Sequence, residues 1–313
     1  MTDPTSRSVL TLSIAAVERD TGLSKDTLRV WERRYGFPNP ERDGSGERAY
    51  PLEQVERLRL VKRLLDVGHR PGRVVALEVD DLQRLVDASG AEVLPATPLA
   101  PGSAESVDEC LALIRQHDLI GLRRQLGRDM ARLGLPAFVL ERAVPLTRAI
   151  GDAWLRGQMQ VFEEHACTEV LQSVLRGALA ALPPAEPLAT PRVLLATLPG
   201  EPHALALLLA EALLATEGAV CVPLGPQTPV WDLVLAADAY RVDIVLLACS
   251  GTTGTTPMVD ALAELRDKLP VGVALWVGGN APALHRRPVD GVLPFQALQD
   301  LLPALADWRA RQP

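Results

Sequence analysis

"RVLLATLPGEPHALALLLAEAL", Arg192–Leu213, decides how the second half of this chain folds. It opens on a short apolar run, breaks at a Pro–Gly pair, and continues as a longer stretch that is apolar almost all round. The first part reads as a strand buried on both faces, and the second as a buried helix. The same rhythm returns in "AVCVPLG" (219–225), "DIVLLACS" (243–250) and "VGVALWVGG" (271–279), with helical stretches between them. Strands alternating with helices make a parallel sheet covered on both faces. Five strands would give a flavodoxin-like order, with a ligand outside the carboxyl ends of the strands.

His203 lies at that edge, in the loop before the helix or in its first turn. A lone histidine there is most often polar surface. Here Glu201 stands two residues earlier, and a carboxylate beside a histidine can orient the ring for metal binding. One histidine cannot hold a free ion, and no second ligand is nearby in sequence. It could ligate a metal that arrives already caged in a macrocycle.

The chain has 313 residues, enough for two or three domains, and its net charge of −7 is unevenly spread. The first 75 residues are net basic and the remainder net acidic, which points to an anionic partner for the head alone. No apolar run is long enough to span a bilayer, and "MTDPTSRSVL" is no signal peptide, so no membrane partner is expected. Four scattered cysteines form neither a metal-ligand spacing nor a disulfide frame, and a reducing cytoplasm is the simplest home.

Two stretches rich in Pro and Ala, 89–106 and 182–191, read as linkers. Between them the chain is helical throughout, with apolar residues at helical spacing from 107 onward. At the head, residues 14–19 read as a short helix and "TGLS" (21–24) as a turn with Ser24 a good N-cap. "KDTLRVWERRYG" (25–36) is then a helix with Leu28 and Trp31 inward and Lys25, Arg29, Arg33 and Arg34 outward. Two helices about such a turn make a helix-turn-helix. "PERDGSGERAYP" (40–51) follows as a Gly-rich loop suited to a small wing on phosphates, carrying Arg42 and Arg48.

The run "TGLSKDTLRVWERRYG" with the later Pro, Arg, Gly and "RAY" closely resembles the MerR-type winged helix-turn-helix over about 12–75. That resemblance implies a second helix in the major groove of a double-stranded DNA operator. It assigns Lys25, Thr27 and Arg29 to the recognition helix and Arg48 and Tyr50 to the wing. Val30 stands where the family usually has Tyr, so one backbone contact is in doubt. The family also dimerises through a long helix after the wing. The Pro-rich 89–106 departs from that, so self-association has to come from elsewhere.

Glu201-Pro202-His203, then Ser250-Gly251-Thr252, then Gly278-Gly279, resemble in order and placement the fingerprint of cobalamin-binding domains. The resemblance implies His203 as the lower cobalt ligand, Ser250 and Thr252 near the buried base, and glycines that let the nucleotide tail approach the backbone. Ala206 stands where Gly is usual and narrows the tail channel. Upstream, "AWLRGQMQVFEEHACTEV" (153–170) holds Trp154, nine residues, then Glu164-His165. Trp154 alone is most often a core aromatic. One straight helix would leave Trp154 and Glu164 about 80° apart, but Gly157 and Gln158 allow a break. The spacing resembles the signature of light-sensing MerR-type repressors of carotenoid genes. There the Trp and Glu surround the 5′-deoxyadenosyl group on cobalt, and a His follows the Trp. Here that position is Leu155, which has no donor atom.

The expected architecture is therefore multidomain. A winged helix-turn-helix fills 1–80, a linker 81–106, a four-helix-bundle cap 107–184, and a flavodoxin- or Rossmann-like α/β cobalamin-binding domain 190–313. The expected function is a non-enzymatic, light-responsive transcription regulator that binds adenosylcobalamin and assembles as a dimer or tetramer. A helical cap beside a macrocycle also leaves room for a second chromophore such as a bilin. The rival readings are a regulator that senses cobalamin, a bilin or another tetrapyrrole without photolysis, and a corrinoid shuttle protein. The helix-turn-helix argues against the shuttle.

Overall fold

Ser13 and Ser24 start the first two helices, and Gly22 and Gly36 stop them. The Ser13 Oγ accepts the Ala16 N–H at 3.3 Å at the head of α1 (Ile14–Thr21), and the Ser24 Oγ accepts the Thr27 N–H at 3.1 Å at the head of α2 (Lys25–Tyr35). Gly22 and Gly36 follow in the left-handed region, at φ 69° and 71°, as helix stops require. A three-residue turn thus joins the two helices. In this computed structural model the described residues are 11–66, 69–92, 103–184, 190–250, 255–279 and 287–312.

The head adds a small antiparallel sheet of β1 (Thr11–Ser13), β2 (Glu41–Arg42) and β3 (Arg48–Pro51), with β3 in the middle. Helices α3 (Leu52–Asp66), α4 (Pro71–Val74) and α5 (Val79–Glu92) complete it. Its core holds Leu28, Trp31, Tyr50, Leu58, Val61 and Leu82. The first part of the expected linker at 81–106 is helical instead, since α5 extends through Glu92 and a further helix covers Ser103–Arg115; residues 93–102 lie outside the described residues. "VDDLQRLVDASGAE" carries two aspartates in its first turn and the fully buried Leu82, so acids at the positive helix end and apolar burial outweigh its small-residue tail.

Leu94–Trp154 and Gln158–Pro313 form a second compact unit. Its helical part is α6 (Ser103–Arg115), α7 (Leu119–Leu133), α8 (Leu135–Phe138), a π-helical turn over Val139–Ala143, α9 (Val144–Leu155) and α10 (Val161–Ala180). Buried inside, Asp129 accepts from the Ser106 hydroxyl at 3.1 Å and lies 3.4 Å from the Arg142 guanidinium. The sheet that follows is parallel, in the order β5-β4-β6-β7-β8. Its strands are β4 (Arg192–Ala196), β5 (Val220–Gly225), β6 (Ile244–Ala248), β7 (Ala274–Gly278) and β8 (Val292–Phe295). This is the expected flavodoxin-like order, with the first strand between the second and third.

Helix α11 (Leu205–Thr216) explains why bundle and sheet form one unit. Leu207, Ala210 and Leu214 pack on one face of the sheet, with Leu301 and Leu305 of α14 (Leu301–Ala310) in the same cluster. Leu208, Leu209, Ala212 and Leu213 join the core of the bundle. A helix apolar all round has to be buried all round. Helices α12 (Val230–Ala239) and α13 (Thr255–Lys268) cover the opposite face of the sheet.

Leu82→Ala should destabilise the head by about 3 kcal/mol, the scale of emptying a buried leucine site. A fragment ending at residue 80 should likewise have a lower urea midpoint than one ending at 92. Equal midpoints would contradict the extension of the head through α5.

Candidate functional site

The parallel sheet brings the loops after β4 and β6 to one edge, and Glu201 lies between them. Its side chain is 2% exposed. One carboxylate oxygen accepts the His203 backbone N–H at 3.1 Å and lies 2.7 Å from His203 Nδ1. The other accepts the Ser250 N–H at 2.6 Å and the Ser250 hydroxyl at 2.7 Å. Burial opposes ionisation of Glu201, but the hydrogen bonds from His203 and Ser250 outweigh it and hold the carboxyl down to about 2. An ionised carboxylate accepts only, so Nδ1 carries the proton and Nε2 is the imidazole nitrogen that can ligate a metal. The His203 side chain is 61% exposed, at the edge where the fold takes ligands.

Ser250 therefore holds Glu201, a contact the sequence reading did not assign to it. Thr252 lies outside the described residues. Gly279, at φ +129°, could carry no side chain: a Cβ there would come within 2.0 Å of the Cys249 carbonyl oxygen. Gly278 accepts the Cys249 N–H at 2.9 Å. The two glycines thus hold the ends of β6 and β7 close together beside Ser250. Ala206 is exposed in the first turn of α11. Among the described residues, no group of three or more His, Cys, Asp or Glu could hold a bare metal ion. The donor set at this edge, one imidazole fixed by a carboxylate, fits a metal whose other ligands come from a macrocycle.

The expected break after Trp154 is present. Helix α9 ends at Leu155, Gly157 has φ 70°, and α10 starts at Val161 with Glu163 and Glu164 in its first turn. Trp154 is half-buried. Glu164 Oε1 accepts from the Thr168 hydroxyl at 3.0 Å, and Oε2 lies 2.5 Å from Nδ1 of the exposed His165. His117, at φ 57°, places Nε2 3.1 Å from Glu163 Oε1. Its ring lies 5.6 Å from that of Phe162. The turn before α7 is thereby tied to the start of α10.

In the head, Asp26, Arg29, Val30 and Arg33 form the exposed side of α2, opposite buried Leu28 and Trp31. Arg29 pairs with Asp26 at 3.1 Å, and Lys25 lies 3.6 Å from Glu18. The Thr27 hydroxyl is 2.8 Å from the capping Ser24 hydroxyl. At the hairpin tip, Asp43 accepts from the Ser45 and Glu47 N–H groups, and Arg42 donates to the Gly46 carbonyl at 2.7 Å. Arg48 pairs with Glu32 of α2 at 2.9 Å and so ties the wing strand to the recognition helix. Tyr50 is a correction. It is fully buried, hydroxyl included, and does not reach a phosphate in this conformation. Residues two apart on a strand share a face, and the face of β3 that bears Arg48 and Tyr50 is turned to the helices.

Residues 12–77 match the family described as MerR HTH family regulatory protein, and 107–177 the B12 binding domain. The chain is 33% identical over 270 residues to the HTH-type transcriptional repressor CarH of Myxococcus xanthus, across 85% of this chain and 87% of that one. It is 31% identical over 288 residues to the HTH-type transcriptional repressor CarA of the same organism, across 90% of each. The solved structure of the Methanosarcina barkeri monomethylamine corrinoid protein is 14% identical, and the match covers 67% of this chain and all of that one. Its TM-score of 0.53 marks a likeness of fold. Among the described residues no helix is long and apolar enough to cross a membrane.

The Glu201 shift sets a pH dependence for the cofactor-free protein. The carboxyl, at about 4.5 when free, is held down to about 2 in the folded protein, so its stabilisation is complete above the unfolded value and is lost as pH falls from there towards 2. Glu201→Gln should remove roughly 3 kcal/mol at neutral pH and this part of the acid sensitivity. Urea midpoints measured from pH 6 down to about 3 test it. Parallel curves for both proteins would contradict the shift.

Proposed function

The chain belongs to the family of MerR-type, B12-binding transcriptional repressors that includes CarH and CarA, and from that premise we propose that light, through adenosylcobalamin, sets its grip on DNA. The observation that carries this is the Glu201–His203–Ser250 network at the ligand edge of the sheet, in one chain with a DNA-binding head. His203 would hold the cobalt through Nε2, with Nδ1 fixed by Glu201. Ser250, Thr252, Gly278 and Gly279 would line the path of the nucleotide tail. Trp154, Glu164 and His165 would attend the adenosyl group, the Trp as apolar shelter and the carboxylate as hydrogen-bond acceptor. Adenosylcobalamin, when bound, supplies a weak cobalt–carbon bond that light breaks.

Lys25, Thr27, Arg29 and Arg42 contact the operator, with Arg33 on the same outward side of α2 as Arg29. Arg48 positions the wing through Glu32. Two to four heads joined through their cobalamin modules bind DNA far better than one, because the second contact becomes intramolecular. Assembly is thus the switched quantity. Leu155, which follows Trp154, has no donor atom and so would offer the cobalt no ligand from that position.

The test uses full-length protein loaded with adenosylcobalamin in the dark and a duplex selected by it from a randomised library. The expected result is a spectral change on illumination together with release of the duplex. Failure to bind adenosylcobalamin would sink the cobalamin reading. A bleached spectrum with DNA affinity unchanged would sink light control. Arg29→Ala and Arg42→Ala should each weaken binding and reduce the log–log salt slope by about one phosphate contact. Tyr50→Phe should leave DNA affinity unchanged, because its hydroxyl is buried. A tenfold loss there would contradict the burial.

A further inference from the structure

Thr197 is fully buried at the carboxyl end of β4 and makes four hydrogen bonds that close the ligand edge. Its hydroxyl donates to the Glu201 carbonyl at 2.5 Å and accepts the Gln227 N–H at 2.8 Å. Its backbone N–H donates to the Gly225 carbonyl at 3.2 Å, and its carbonyl accepts the Thr228 N–H at 2.9 Å. Gln227 itself sits at φ 57°, a region costly for a residue with a side chain and held only where the surroundings over-determine it. One threonine therefore joins the loop after β4 to the loop after β5. Because the bond to Glu201 is to its main chain, Thr197 sets where that residue's backbone lies. The carboxylate on that backbone in turn holds Nδ1 of His203 and both donors of Ser250.

We infer that Thr197 is a positioning residue for the cobalt ligand: it acts through Glu201 to fix the imidazole of His203, and it draws the β5 loop into the same network. This rests on the reading of His203 as the lower ligand of cobalamin. A threonine is needed because the hydroxyl both donates and accepts. Valine has the same shape but leaves the Glu201 carbonyl and the Gln227 N–H without their partner. Serine keeps both bonds.

Full-length protein labelled with ¹⁵N-histidine, mixed with cob(II)alamin, tests this by electron paramagnetic resonance. An axial ¹⁵N-imidazole splits the cobalt lines into doublets. The cofactor's own unlabelled base gives triplets instead, and water gives no such splitting. Wild type and Thr197→Ser should show doublets. Thr197→Val should lose most of the doublet signal and bind cob(II)alamin about tenfold more weakly, the effect expected when the support of a metal ligand is removed. If the valine variant does not fold, Thr197→Ala carries the test. A full doublet signal and wild-type affinity in the hydroxyl-less variant would overturn the role of Thr197. Absence of doublets in wild type would instead overturn the assignment of His203 beneath it.

Discussion

A buried negative charge organises the ligand edge. Glu201 is almost wholly out of water yet ionised, and such a group is tolerated only if hydrogen bonds replace its hydration. Two donors come from His203 and two from Ser250, which lies on the loop of a different strand. The requirement can be met only where parallel strands end side by side, so the sheet order and the ligand chemistry are one constraint. Gly279 is part of it: the close passage of the Cys249 carbonyl admits no Cβ there.

His203 also lies just before the helix that ties the second unit together. Ala204 precedes α11, and α11 buries one set of leucines against the sheet and another in the bundle. A displacement at the ligand loop therefore acts on a helix shared by two cores. Close-packed cores resist gradual deformation, so such a displacement favours a shift between alternative arrangements. In the head, the Arg48–Glu32 pair makes wing and recognition helix one body, which suits a reader whose response is to be held or released whole.

Local patterns were legible in the sequence, and distant pairings were not. Glu201 and His203 are two residues apart, so their partnership could be read directly. The tie from Ser250 to Glu201 spans 49 residues and depends on sheet order, which no spacing shows. Thr197 carried no signal at all, since a threonine ending a strand is ordinary until its partners are seen. The resemblance puts Tyr50 among the wing's DNA contacts, while strand alternation turns it into the core with Leu28 and Leu58. Helix α5 was read as part of a linker because "DASGAE" resembles the Pro-rich tract beyond it. The periodic apolar residues that begin the helix, Leu82 among them, outweigh that composition.

The most direct measurement is the affinity for adenosylcobalamin, titrated in the dark at constant salt, of wild type, Glu201→Gln and His203→Ala. If the ionised Glu201 fixes the imidazole that holds cobalt, His203→Ala should lose at least about tenfold, and Glu201→Gln, with the histidine intact, a loss within the same ~10–100-fold range. Equal affinities for all three proteins would contradict it.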